Sequence, residues 1–384
     1  MGAERVNAVR TSFFGRGAIS LLPAELKKRG YGRALLVTDR FLFENGVAQR
    51  VGDEILRAEM EYAIYYEVTP NPTTEVVRDC IRAAGMLKVD VLVAVGGGSA
   101  IDTCKAASIV LANGGRVEDY EGDEKSGKRG LPIVAVNTTA GTGSEVTSFY
   151  IVTDHARHTK MCMMDPNCMV DIAINDTDFM MSMPKSLTAA TGMDAMTHAI
   201  EAALTWKATP LTDKDAYWAI RVIREYLPKA VENGNDVEAR EMMAYAQNVA
   251  GMAFSNAGLG MVHAMAHALG GFYNLPHGVC NGVLLPCVLE YNGQFPETHE
   301  RFEKIGEALG IAGLSGADAV RAVVCNIRGL GAKVGIPSGL GKLNNVNRGD
   351  FPSLARLALA DTCMTANIRT PSLEDVIKVY ETAM

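Results

Sequence analysis

Two pairs of side chains set one helical turn apart carry the strongest chemical signal in this sequence. In SLTAATGMDAMTHAIEA (186–202), Asp194 and His198 stand at i and i+4, so on a helix both leave one face and can share a cation. The segment GLGMVHAMAHALGGFYNLPHGV (258–279) repeats the spacing with His263 and His267 and then adds His277. Three of the seven histidines thus fall within fifteen residues. Around the first pair stand Met193, Ala195, Met196, Ala199 and Ile200, an apolar setting in which a charged pair is costly unless it serves a purpose.

One carboxylate and several imidazoles suit Zn²⁺ or Fe²⁺. Ca²⁺ takes an oxygen-only set, and a structural zinc site is usually built with thiolates. Spacing does not choose between the two metals. Five candidates also exceed a four-ligand site with a position open for substrate, so one residue acts elsewhere, and spacing does not say which.

A second signal is VLVAVGGGSAID (91–102), an apolar run, three glycines and a serine, followed by the helical pattern DTCKAASIVLA. A strand, a phosphate turn and a helix N-terminus in succession let backbone N–H groups approach a pyrophosphate. NTTAGTGSEVT (137–147) follows another apolar run and offers Thr138, Thr139, Thr142 and Ser144. A plain polar turn explains either loop singly, but two in succession point to a dinucleotide. Asp39 closes ALLVTD, where a carboxylate can accept from the ribose hydroxyls and repel a 2′-phosphate, favouring NAD over NADP. The alternative for Asp39 is a turn or helix cap.

These residues need two kinds of scaffold. In the first half, ALLVTD, VLVAV and IVAV alternate with helical stretches, which predicts βαβ units and a largely parallel, Rossmann-like sheet. After Met183-Pro184 the texture turns to Ala-, Met- and Leu-rich helical segments, at 185–207, 237–254 and 258–271. Breaks are expected at Asn233-Gly234, Pro276, Pro296, Gly335-Ile336-Pro337 and Pro352. The expectation is an α/β dinucleotide-binding domain over 1–183 and an all-helical metal and substrate domain over 184–384, because 384 residues exceed one core.

A net charge of −7 without a Lys/Arg cluster argues against nucleic acid as a partner. MGAERVNAVR lacks a signal-peptide core and no apolar run reaches membrane-span length, so a cytoplasmic protein is expected. Eight cysteines without a C-x-x-C pair read as reduced thiols.

At GGGSAIDTCKA, NTTAGTGSEVT, MPKSLTAATGMDAMTHAIEA, AGMAFSNAGLGMVHAMAHALGGFYNLPHGV and the terminal ETAM, the chain resembles the iron-containing (group III) alcohol dehydrogenases over essentially its full length. The branch it is most similar to holds lactaldehyde reductases (propanediol oxidoreductases) and 1,3-propanediol dehydrogenases. The resemblance implies an NAD-linked enzyme for small primary alcohols or diols and their aldehydes, a homodimer or higher oligomer, and an active site in the cleft between two domains. It assigns the metal, Fe²⁺ with Zn²⁺ as the alternative, to Asp194, His198, His263 and His277. His267 is then left for proton relay or for orienting the site. It places NAD against Asp39, Asn71, Gly96, Gly97, Gly98, Ser99, Asp102, Thr138, Thr139, Thr142, Lys160 and Phe179, and substrate near Phe149, Phe254 and Cys363.

Departures from the family pattern lie at the pocket and periphery. Cys287 replaces the His of a frequent LLPH, Asn367-Ile368-Arg369 replaces NPR, and Phe149 stands where a smaller polar residue can occur. Phe149 and Phe254 would make an apolar wall. The competing readings are a glycerol- or polyol-type dehydrogenase, a dehydroquinate-synthase-like lyase, and a non-catalytic NAD-binding subunit. The first two call for a basic pocket that 250–280 lacks, and the intact candidate ligands oppose the third.

Overall fold

A computed structural model describes residues 5–384. Its strands are β1 (Ser12–Phe14), β2 (Arg33–Asp39), β3 (Glu61–Val68), β4 (Val91–Gly96), β5 (Gly122–Asp123), β6 (Ile133–Asn137), β7 (Phe149–Asp154), β8 (Thr159–Met164) and β9 (Ile172–Asn175). Among them run helices α1 (Leu22–Arg29), α2 (Arg40–Glu44), α3 (Val47–Arg57), α4 (Thr74–Leu87) and α5 (Gly98–Asn113). Six strands form one parallel sheet in the order β1-β9-β6-β4-β2-β3, and β5, β8 and β7 form a small second sheet.

The run VLVAV is apolar without alternation because both faces of β4 are covered. Val93 and Val95 belong to one buried cluster with Leu36, Val136 and Ile174, and Leu92 and Ala94 to another with Leu35, Ala135 and Ile101. Strand order reverses between β2 and β4: β3 lies beyond β2 on one side, β6 and β9 beyond β4 on the other. The C-terminal ends of β2 and β4 therefore form the switch point, where open parallel sheets bind ligands. Asp39 and Gly96 are the last residues of those two strands.

From residue 183 onward the described chain is helical: α6 (Lys185–Leu204), α7 (Pro210–Glu232), α8 (Val237–Ala257), α9 (Met261–Tyr273), α10 (His277–Asn292), α11 (His299–Ala308), α12 (Gly316–Val334), α13 (Phe351–Ala360) and α14 (Leu373–Ala383). The breaks read from Pro and Gly coincide with the end of α7, the start of α10, the end of α12 and the first turn of α13. Pro228 and Pro286 lie inside helices. α6 is buried on nearly every side, so it is the central helix of its unit.

The contact pattern does not cut the chain once. One compact unit holds the chain up to Thr139 with Ser144–Arg157 and Met161–Ser182; the other holds Ala140–Gly143, His158–Lys160 and Met183–Met384. Two short segments join the helices for local reasons. Gly143 N–H donates to Gln247 Oε1 at 2.8 Å, and the 158–160 backbone runs against Gly271.

Candidate metal centre

One face of α6 carries Asp194, His198 and Glu201 at i, i+4 and i+7, all buried. Glu201 sits at the N-terminus of α9, where its Oε1 accepts from Val262 N at 2.7 Å and its Oε2 from His263 Nδ1 at 2.6 Å. The carboxylate satisfies an end-of-helix donor and faces the positive end of the helix dipole. Because an ionised carboxylate only accepts, Nδ1 of His263 carries a proton, and Nε2 is the nitrogen turned toward Asp194 and available to a cation once deprotonated.

His277 is brought in by the first turn of α10. A Cβ at Gly278 would lie 2.3 Å from the Ala190 carbonyl oxygen on α6, so only glycine lets the two backbones approach this closely. Asp194 Oδ1 then lies 3.5 Å from His277 Nε2 and 3.7 Å from His263 Nε2. Two donors of one tetrahedral ion, each about 2.1 Å from it, are separated by roughly 3.4 Å. The three ligand atoms lie within 4.8 Å of one another.

His198 is adjacent but differently placed. Its ring lies between Phe254 and His263, stacked at 4.3 and 4.5 Å, and it brings no ring nitrogen into that 4.8 Å group. The Nδ1 of His277 and the Oδ1 of Asn281 are buried without a hydrogen-bond partner among the described residues. Buried polar atoms are rarely left this way. The convergent donors of Asp194, His263 and His277 fit a metal ion.

Electrostatics prepare the donors. Burial pushes the His198 pKa down to about 3 and that of His277 well below the usual imidazole value, against the attraction of Asp194. Both rings are neutral at neutral pH and offer lone pairs. For His263 burial also acts downward, but hydrogen bonds to Asp194 and Glu201 outweigh it and raise the pKa to about 9, so without an ion this ring is charged at neutral pH and must give up its Nε2 proton when a cation binds. Burial disfavours the charge on Asp194, yet the surrounding histidines hold it below the usual carboxylate range.

His267 stacks on His277 at 5.2 Å and meets His263 edge-on at 6.1 Å, while its Nδ1 lies 2.8 Å from Asp361 Oδ2. The structure thus brings three of the five candidates to a point, sets His198 beside them, and pairs His267 elsewhere. Spacing missed three residues. Glu201 continues the α6 stripe. Asn281 is i+4 from His277, with Nδ2 at 2.6 Å from Asp194 Oδ1, 3.0 Å from His263 Nε2 and 3.2 Å from His277 Nε2. Asp361, far along the chain from His267, left no local signal.

At the sheet's switch point, Gly97 caps α5, and a Cβ there would fall 2.7 Å from Thr139 Oγ1. The bare backbone of Gly97 lies against the Thr139 side chain, which brings the two loops together in a cradle suited to a pyrophosphate. Thr138 N–H bonds Gly96 O at 3.1 Å. Gly97, Gly98 and Ser99 are partly exposed. Asp39 does cap α2, its Oδ1 accepting from Leu42 N at 2.8 Å, and Oδ2 is not used in that cap. Asn71 adopts a left-handed backbone at φ 54°.

Other expected cofactor residues are more deeply engaged. Asp102 Oδ1 accepts from Ser144 Oγ at 2.5 Å and its Oδ2 from Ile151 N at 3.1 Å, which ties the second loop to α5. Phe179 lies in the buried cluster under the sheet with the Arg50 guanidinium over its ring. Thr142 and Lys160 belong to the helical unit, and Lys160 is buried near Gly270 and His277. In the expected pocket, Phe149, Phe254 and Cys363 are all buried. Phe149 O accepts from the fully buried Lys105 Nζ at 2.7 Å.

Residues 10–177 match the family model "Iron-containing alcohol dehydrogenase", and 188–384 match "Fe-containing alcohol dehydrogenase family, C-terminal". The chain is 43% identical over 375 residues to the NAD-dependent methanol dehydrogenase of Bacillus methanolicus, covering 97% of this chain and 98% of that one. It is 44% identical over 385 residues to the lactaldehyde reductase of Escherichia coli K12, covering 99% and 100%. The crystal structure of a 1,3-propanediol oxidoreductase superposes with a TM-score of 0.95 at 40% identity, covering both chains fully.

Proposed function

The chain belongs to the iron-containing alcohol dehydrogenase family, and we propose that it interconverts small primary alcohols or diols with their aldehydes, using NAD(H). The observation that carries this reading is the convergence of Asp194, His263 and His277 within 4.8 Å, with His198 one helical turn from Asp194. We assign these four residues as metal ligands, Fe²⁺ first and Zn²⁺ as the alternative. When bound, the ion supplies Lewis-acid polarisation of the substrate oxygen, and NAD accepts or returns the hydride.

The chain's own residues supply the rest. Glu201 holds His263 in the tautomer that presents Nε2. Gly96 to Ser99, Thr138 and Thr139 receive the cofactor diphosphate, and Asp39 Oδ2 receives the ribose. Phe254, stacked on His198 at 4.3 Å, supplies apolar surface beside the ligands, favouring short substrates with little polar decoration. Oxidation of an alcohol releases a proton besides the hydride, and His267, held by Asp361 at 2.8 Å, takes it up. Relatives named for methanol, lactaldehyde and 1,3-propanediol bracket the substrate size. The family resemblance also supports a cytoplasmic homodimer, and among the described residues no helix is long and apolar enough to cross a membrane.

The test is a panel of short alcohols and diols offered to metal-stripped protein reloaded separately with Fe²⁺ and Zn²⁺, with NAD and NADP side by side. Metal-dependent NADH formation is expected. Absence of turnover with every substrate and both metals would leave only a cofactor-binding protein.

A further inference from the structure

His267 and Asp361 form a pair that the ligand cluster does not use. Asp361 lies where α13 ends and a short 3₁₀ helix (Thr362–Ala366) begins, and it caps that helix, its Oδ1 accepting from Cys363 N at 2.8 Å. Its second oxygen, Oδ2, is 2.8 Å from His267 Nδ1. Both side chains are nearly sealed, 4% and 6% exposed, so neither orientation nor proton placement is averaged by solvent. The His267 ring is further fixed by stacking on His277 at 18° between planes.

We propose that Asp361 is the positioning residue of His267: it fixes the ring and keeps its proton on Nδ1, so that Nε2 is the nitrogen offered to the proton released in the reaction. This rests on the alcohol dehydrogenase reading above. A carboxylate has acceptors only, so the Cys363 N–H and the His267 Nδ1–H are both satisfied by one side chain. An amide of the same shape cannot do this. In Asp361→Asn, an Oδ1 that keeps the Cys363 N–H leaves the NH₂ facing His267 Nδ1. That nitrogen must then accept, and the proton moves to Nε2. The substitution changes no volume and inverts the tautomer, the same logic by which a carboxylate orients the histidine of a hydrolase triad.

The experiment compares wild type, Asp361→Asn and Asp361→Glu, each loaded with diamagnetic Zn²⁺. Long-range ¹H–¹⁵N spectra read the His267 tautomer, and metal content, cofactor KM and kcat are measured alongside. The expected result is Nδ1–H in wild type, Nε2–H in Asp361→Asn with kcat lower by about a hundredfold, unchanged metal content and cofactor KM, and partial recovery of kcat in Asp361→Glu. Nε2–H in wild type, or an Asp361→Asn enzyme with wild-type kcat, overturns the proposal. If Asp361→Asn does not fold, the wild-type tautomer and the Asp361→Glu kinetics decide. The wild-type spectrum decides the positioning claim even if no alcohol is turned over, so its failure is separable from failure of the functional reading.

Discussion

Glu201 and His263 join α6 to α9 through a 2.6 Å contact between Oε2 and Nδ1, and the same carboxylate accepts the Val262 N–H at 2.7 Å. A buried group with two roles predicts two losses when it is changed. In Glu201→Gln, one amide oxygen replaces two acceptors, so His263 loses either its fixed tautomer or its charged partner. Metal affinity should fall about 10- to 100-fold, the usual effect of removing an outer partner of a ligating histidine. Equilibrium competition with a chromophoric chelator measures it. Wild-type affinity in this variant would mean that Glu201 serves α9 alone.

Gly278 places His277 by letting α10 touch α6. A methyl group there meets the Ala190 carbonyl oxygen at 2.3 Å and the neighbouring carbonyl carbon at 2.7 Å. Backbone atoms cannot swing aside as a flexible side chain could, so α10 must move. Gly278→Ala should lower stability by about 1–3 kcal/mol, as overpacking does, and should also displace His277 and reduce bound metal. Thermal melts with and without added Zn²⁺ check both effects. An unchanged melting temperature would refute the close approach.

What was legible follows from which forces are local. The i, i+4 pairs on α6 and α9 were readable because helical period alone puts their side chains together. The two apolar strands ending in Asp39 and Gly96 were readable as strands, but that their ends form the switch point follows only from the strand order. Glu201 and Asn281 obeyed the same periodicity but carried no chemistry until their partners were placed. Asp361 was illegible, since only the packing of α13 on α9 brings it to His267. Asp102, named by the family resemblance alone, lies near the start of α5, and its bonds to Ser144 and Ile151 depend on long-range packing of β7. The contact with Gln247 that draws Ala140–Gly143 to the helices is likewise tertiary.

Asp39 combines a cap and a charge at one site, and Asp39→Asn separates them. Asn is as good an N-cap as Asp, so the Leu42 N–H at 2.8 Å keeps its acceptor and stability should change by less than about 0.5 kcal/mol. The negative charge that repels a 2′-phosphate is gone. The preference for NAD over NADP, measured as the ratio of dissociation constants by cofactor fluorescence, should narrow about tenfold, on the order of 1.4 kcal/mol. An unchanged ratio, or a native preference for NADP, would remove Asp39 from the cofactor site.

Metal removal should expose a pH dependence carried by the histidines. His198 has a folded pKa of about 3 against an ordinary 6.5, so on acidification the unfolded chain takes up a proton that the folded chain refuses. Stability is lost as pH falls below 6.5, and the loss continues toward pH 3. His263 acts oppositely: raised to about 9, it contributes stability that is fully present below 6.5 and disappears as pH rises through 9. Between 6.5 and about 5 the His263 contribution is constant, and the depressed carboxylate of Asp194 has not begun to titrate in the unfolded chain. In chelator-stripped protein, melting temperature over this window should therefore fall with pH because of His198 and His277. His198→Asn, which cannot titrate, should show a shallower fall, with the residue of the slope due to His277. Equal slopes in the two proteins would show that His198 is not held neutral by the fold.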